Sequence, residues 1–157
     1  MDTKIVPPTL LELLQIEATL LYQFGAEIKF REPNFNVKVV RSRKTGRIKQ
    51  VFLNGKYFAA IRANDGFIIP SLEGWKILAS FTKPMQLPCI EILEDIQGFI
   101  AEGKTLFSKH VIRANPEILP GEEVCISSEK NIIASGKAML PGIEMGRIKK
   151  GKAVKTR

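Results

Sequence analysis

The 157-residue chain is poor in sulfur and imidazole, with two cysteines, Cys89 and Cys125, and one histidine, His110. Two thiols and one imidazole fall one ligand short of a structural zinc site, which takes four side chains. No metal and no cofactor are therefore expected. The cysteines read as two buried or half-buried thiols of a protein of the reducing cytoplasm. Nowhere do about 20 apolar residues run together, so no membrane-spanning helix is expected. Acids precede the first apolar run, unlike a secretory signal. Three catalytic signatures are also missing: the GxxxxGK[ST] phosphate loop, the GxGxxG fingerprint after a strand, and the GxSxG elbow. His110 has no acid or nucleophile beside it. Asp65 precedes a glycine, a turn position where aspartate commonly bonds its own backbone. Glu94 and Asp95 open a short helix, whose dipole favours negative charge there. No catalytic residue is assigned. An unrecognised enzyme would need a deep pocket joining His110 or Asp65 to further polar groups.

What is abundant is positive charge, a formal +8, and it is unevenly spread. Residues 1–28 are net −3, residues 29–62 net +9, residues 63–103 net −4 and residues 104–157 net +6. Dispersed charge would suggest solubility alone, whereas two basic blocks favour a polyanionic partner. The competing explanation is that lysines protect exposed strand edges from pairing.

Pro7-Pro8-Thr9 leads into LLELLQIEATLLYQF, closed by Gly25, which predicts a helix over about 8–24. Leu10, Leu13, Leu14, Leu20, Leu21 and Phe24 fall largely on one face, read as a packing face, with a partner surface as the alternative. Residues 26–36 predict a short strand and a loop. Val37–Ser42, Ile48–Leu53 and Tyr57–Arg62 predict an antiparallel meander, joined by Lys44-Thr45-Gly46 and Asn54-Gly55. Asn-Gly suits a type I′ turn, in which both central residues take positive φ. Asn64-Asp65-Gly66 turns into a further strand at Phe67–Ile69, and Ser71 caps a helix over about 72–80. Pro84 and Pro88 mark a boundary, giving domains 1–84 and 85–157. The second half predicts a strand at Ile90–Leu93 and a helix at Glu94–Glu102, with Ile96, Phe99 and Ile100 as its apolar side. Strands follow at Leu106–Ile112, Glu123–Ser127, Ile132–Leu140 and Ala153–Thr156, with a brief run near Met145–Ile148. One small helix and several short strands indicate a compact, mostly β barrel.

The cations cluster. Arg41, Arg43, Lys44, Arg47 and Lys49 surround one tight turn. Lys104, Lys109 and Arg113 follow the second-half helix. The tail holds Arg147, Lys149, Lys150, Lys152, Lys155 and Arg157. Such groups suit phosphate contacts, whose affinity comes largely from counterion release. Aromatic residues are few near them, apart from Phe52, Tyr57 and Phe107. Recognition of the backbone and shape of folded RNA is therefore expected over extensive base stacking.

The pieces EDIQGFIAEGKTLFSKHV, PGEEV, NIIASGKAML and GRIKKGKAVKTR, in that order, resemble a PUA domain, the RNA-binding pseudo-barrel named after pseudouridine synthase and archaeosine transglycosylase. The segment RKTGRIKQVFLNGKYFAAIRANDGFIIPSLEGWKIL is similar to the region preceding PUA in archaeal tRNA-guanine transglycosylase and in small stand-alone PUA proteins. The resemblance implies an α+β protein, with a small N-terminal α/β domain followed by a C-terminal PUA pseudo-β-barrel. It implies RNA binding, of tRNA above all, at Gly103, Lys104, Thr105, Phe107, Ser108, Lys109 and His110, with Arg147, Lys149, Lys150 and Lys155 nearby. The glycine and its neighbouring N–H groups would meet phosphate. Arg41, Arg43, Lys44, Arg47 and Lys49 form a second candidate patch.

A complete transglycosylase needs a large catalytic barrel with aspartates and a cysteine-rich zinc site, for which this chain has neither the length nor the ligands. The reading is a non-catalytic RNA-binding accessory or targeting module in RNA modification, with a catalytic protein as partner. The alternative is a translation factor holding a protein through its first domain and touching tRNA on the small ribosomal subunit. No membrane partner is expected.

Overall fold

The computed structural model describes residues 4–83 and 86–157. The chain divides into two compact units, Met1–Thr82 and Lys83–Arg157. The boundary expected between 84 and 85 falls outside the described residues.

In the first unit, helix α1 spans Leu10–Phe24. A capping box starts it. The Thr9 hydroxyl accepts from the Glu12 N–H at 3.1 Å, and the Glu12 carboxylate accepts from the Thr9 N–H at 2.8 Å. Gly25, at φ 68°, ends it. Strands β1 (Val37–Arg41), β2 (Ile48–Leu53), β3 (Lys56–Ile61) and β4 (Ile68–Pro70) form an antiparallel meander in sequence order. Asn54 and Gly55 take φ values of 50° and 82°, as a type I′ hairpin requires. The loops at Ser42–Arg47 and Arg62–Phe67 share one construction. In each the N–H of the final glycine, Gly46 or Gly66, donates to the carbonyl four residues back. In each the preceding side chain, Thr45 or Asp65, accepts from the N–H two residues on. Helix α2 (Leu72–Ala79) is capped by Ser71, whose oxygen accepts from the Gly74 N–H at 2.9 Å.

The buried face of α1 keeps Leu20 and Phe24 of the expected stripe and adds Ile16. Ile16, Leu20 and Phe24 enter the core, Phe24 meeting Trp75 edge-on at 5.0 Å, while Leu10, Leu14 and Leu21 are exposed. A three-residue stagger is enough to reassign a helix stripe whose leucines surround most of the cylinder. Residues 26–30 alternate buried and exposed, as an extended segment does, but no strand forms there. Lacking a ladder partner, the segment is held by its side chains, Ala26, Ile28 and Phe30, in the core.

Glu12 also ties α1 to the sheet through an ion pair with Arg41 on β1. The hydrogen bond from that guanidinium holds the Glu12 carboxyl below its ordinary value of 4.5. A carboxyl with a lowered folded pKa contributes stability that is complete above the unfolded value and is lost as pH falls through the folded one. Glu12→Gln is therefore expected to cost about 1–2 kcal/mol near neutrality from the lost ion pair, because glutamine keeps the capping box. The deficit should shrink as pH falls below the ordinary carboxyl value of 4.5, where the wild-type carboxyl protonates first in the unfolded chain and then in the folded one. Urea melts at pH 7 and pH 3 check this, and a deficit independent of pH would remove the electrostatic part.

The second unit is one curled sheet. Its strands are β5 (Cys89–Ile92), β6 (Leu106–Phe107), β7 (Val111–Ala114), β8 (Glu123–Ser128), β9 (Asn131–Ala138) and β10 (Lys152–Thr156), in the order β6-β10-β9-β8-β5-β7. A short 3₁₀ turn at Glu94–Ile96 leads into helix α3 (Gln97–Ala101). The two outermost strands, β6 and β7, are separated in sequence only by the 3₁₀ turn Ser108–His110. The sheet must therefore curl until its edges meet, which makes it a pseudo-barrel. This also corrects the expected strand at Leu106–Ile112, which the turn breaks in two so that its halves serve opposite edges. Met145–Ile148 forms turns and no strand. Ile90, Ile92, Ile100, Leu106, Ile118, Val124, Ile126 and Val154 fill the interior.

Cys89 and Cys125 are joined in a disulfide, against the expectation of two thiols. Cys125 is buried and Cys89 half-buried. They are direct partners in the parallel β5–β8 ladder, with Cα atoms 4.5 Å apart, a distance within disulfide reach. A sequence separation of 36 gives no hint of that register.

Candidate nucleic-acid interface

The interface begins at the end of α3. Gly103 takes φ +91°. Its N–H donates to Ile100 at 3.0 Å, and the Lys104 N–H donates to Phe99 at 3.1 Å. This is a Schellman C-cap, in which a left-handed residue lets the chain reverse and satisfies the helix's last carbonyls. These two amides are thus committed to the helix. The expectation that they meet phosphate is corrected, and charge at this hinge comes from side chains.

After the hinge, Lys104 is exposed and Thr105 half-buried. Strand β6 lies against β10, with Leu106 opposite Val154 and Phe107 opposite Lys152. Phe107 is 42% exposed. Ser108, expected at the RNA surface, is fully buried. Its N–H donates to the Gly151 carbonyl at 3.0 Å and its hydroxyl accepts from the Gly146 N–H at 3.0 Å. It fastens the hinge to the segment carrying Arg147, Lys149 and Lys150 and is removed from the contact set. Lys109 is exposed and His110 half-buried. Arg147, Lys149, Lys150 and Lys155 are all exposed. The β6–β10 ladder and the two Ser108 bonds therefore bring residues 103–110 and 146–155 together.

Three side chains outside the expected contact set join this surface. Phe99, expected on the apolar side of α3, is 61% exposed beside the hinge, while Ile100 takes the core position. Lys152 stands opposite Phe107, and Lys137 stands opposite Lys155 across β9 and β10. Lysines directly opposed on a ladder repel, and a bound polyanion removes that cost. Only the strand register reveals the two lysine positions. Two tail and hinge cations are neutralised internally. Arg113 donates to Glu91 at 2.6 Å, and Arg157 forks onto the buried Glu123 at 2.7–3.0 Å.

In the first unit, Arg41 is bound to Glu12, so the cluster around the Ser42–Arg47 loop loses one member. Lys44, Arg47 and Lys49 are exposed there, as is Arg43. Asp65 lines a cleft of about 430 Å³. Its carboxylate accepts from Arg62 at 2.9 and 3.1 Å and from the Phe67 N–H at 3.0 Å, which hold its pKa below the ordinary value. It is a turn former. No helix among the described residues is long and apolar enough to cross a membrane.

A pseudo-barrel closed by its own edge strands, bearing a helix, a left-handed glycine and a rim of cations, defines a PUA-type protein. The comparisons agree unit by unit. Residues 15–84 match the patch-forming domain C2 of tRNA-guanine transglycosylase, and residues 88–157 match the PUA domain. Residues 15–84 thus belong to the C2 family and residues 88–157 to the PUA family, and together they correspond to the C-terminal, PUA-bearing part of the transglycosylases. The chain is 37% identical to the tRNA-guanine(15) transglycosylase of Methanocaldococcus jannaschii over 93% of its own length, and 37% identical to that of Pyrococcus abyssi over 87%. It spans only 22% and 23% of those two proteins. A hypothetical protein of Pyrococcus horikoshii shares the fold with a TM-score of 0.77 at 24% identity, over 98% of this chain and 93% of that one. The C2 and PUA matches together account for residues 15–84 and 88–157.

Proposed function

We propose that the protein is a non-catalytic RNA-binding module serving tRNA modification in the cytoplasm, with tRNA as its ligand. The observation that carries this reading is the junction of residues 103–110 with residues 146–155 through β6, β10 and Ser108. Lys104, Lys109, Arg147, Lys149, Lys150 and Lys155 make its phosphate-binding rim. Phe99 and Phe107 offer exposed rings for a ribose or an unstacked base. Gly103 shapes the hinge, and Thr105 and His110, both half-buried, supply polar contacts. The names of the relatives, which act on guanine 15 of tRNA, support tRNA over other folded RNA.

Titration of the pure protein with tRNA from 50 to 300 mM salt tests the reading. Six rim cations give an expected slope of log K against log salt of about −5.4, by the relation of roughly 0.9 counterion released per phosphate contact. No binding at the lowest salt, or binding with a flat salt dependence, would refute it.

A further inference from the structure

Helix α1 carries two faces. Ile16, Leu20 and Phe24 pack inward. On the other side Leu10, Leu11, Leu14, Leu21 and Tyr22 are 58, 64, 39, 53 and 80% exposed. The exposed positions of the helix are 10, 11, 14, 15, 18, 21 and 22, and none of them is charged. This is an i, i+4, i+8, i+11 spacing, a continuous stripe along about 22 Å of helix. Phe67, beside Tyr22 with ring centres 6.4 Å apart, extends the stripe onto the sheet. The two acids of the helix do not interrupt it. Glu12 is turned to Arg41, and Glu17 accepts from the Phe30 N–H at 3.2 Å. A soluble surface rarely spends five large apolar side chains on one such row without a partner.

The cleft of about 430 Å³ opens beside the stripe. Ile16, Ile48, Ile61 and Ile68 line its apolar part, and Arg47 and Asp65 stand at it. A flat apolar row next to a pocket that admits one side chain is the anatomy of a protein-binding hot spot. Its chemistry argues against the other occupants. A polyanion would need cations, and the stripe has none. A lipid surface is met by helices with lysine and arginine flanking the apolar face, whereas the charged residues of α1 are both glutamates.

We infer that the α1 stripe and the isoleucine cleft are the docking surface for a transglycosylase catalytic polypeptide, the part of the curated relatives that this chain does not span. The inference rests on the proposed function and names where its protein partner sits. More than three quarters of the 37%-identical Methanocaldococcus jannaschii protein lies outside the match. The stripe is chemically distinct from the cationic rim on residues 103–155, so one chain holds enzyme and RNA on separate units.

The test uses the full chain with a photo-crosslinking amino acid at position 11 or 22. The probe is the Methanocaldococcus jannaschii transglycosylase shortened by the segment that matches this chain, used once a single cooperative melt shows that it is folded. A crosslinked product is expected from both positions. A competing chain carrying Leu11→Glu and Leu14→Glu should suppress it at least tenfold less well than the wild type. Because both leucines face solvent, the variant should keep the wild-type melting curve. Its tRNA affinity should stay within twofold of the wild type, which separates this inference from the RNA reading. Absence of product overturns the inference. So does a crosslinked homodimer that the double substitution dissolves, because the occupant would be a second copy. A tenfold loss of tRNA affinity in the variant likewise overturns it by assigning the stripe to RNA.

Discussion

Lys104→Glu combined with Lys109→Glu is expected to lower tRNA affinity about 100-fold at 50 mM salt while leaving the fold intact. Both lysines are exposed, one just past the Gly103 hinge and the other in the turn between β6 and β7. Neither takes part in an ion pair among the described residues, so no buried partner is orphaned by the change. Each reversal removes one phosphate contact and adds a repulsion near the same phosphate. Two lost contacts should also flatten the salt slope by about 2 units, since each contributes roughly 0.9. The slope is the more diagnostic reading. A variant that weakens binding by distorting the barrel would lower affinity and leave the dependence per remaining contact unchanged. Affinity and slope both at wild-type values would place the RNA elsewhere. Arg47→Glu, measured alongside, assigns the first unit. A tenfold loss would make the Ser42–Arg47 loop part of the RNA surface, and an unchanged affinity would make its cations incidental.

Gly142→Ala is expected to destabilise the second unit by about 4 kcal/mol or more, in the range reserved for forced rearrangement of a packed interior. A methyl group built at Gly142 lies 2.0 Å from the Asn115 carbonyl oxygen and 3.2 Å from the Ile118 Cβ. Neither neighbour can yield cheaply. The Asn115 backbone N–H is bonded to Cys89 at 3.1 Å and its side-chain amide to Leu87 at 3.0 Å. Ile118 is fully buried, and its carbonyl accepts from the Gly142 N–H at 2.9 Å. The contact is a matter of space, because Gly142 does not have positive φ. Hydrogen exchange at the β8 amides Val124–Ile126 reads the loss directly. Protection equal to that of the wild type would mean that residues 115–118 move aside at little cost.

The sequence by itself determined what depends on neighbours along the chain. Asn54-Gly55 dictates a type I′ hairpin, because few other residue pairs accept two successive positive φ values. Thr9 with Glu12, and Ser71, start their helices through bonds spanning three residues. The pseudo-barrel and its basic rim were legible through the resemblance of residues 89–157, and the clustering of lysines was visible as simple arithmetic. What only the tertiary structure decided is everything that depends on register. Leu106–Ile112 was read as one strand, yet the barrel needed its halves on opposite edges, with the polar Ser108–His110 as the turn between them. Ser108 looked like a polar surface residue until Gly146 and Gly151 closed over it. Whether a cation is available depends on acids 22 to 34 residues away, as for Arg41 with Glu12, Arg113 with Glu91 and Arg157 with Glu123. Cys89 meets Cys125 only because β5 and β8 run parallel at that offset. The same holds for α1. A helix with leucine on most sides can bury any of them, and the sheet beneath it chose Ile16, Leu20 and Phe24. Local rules fix torsions and turns over a few bonds, whereas pairing across the fold is selected by the packing of the whole unit, which no short window of sequence contains.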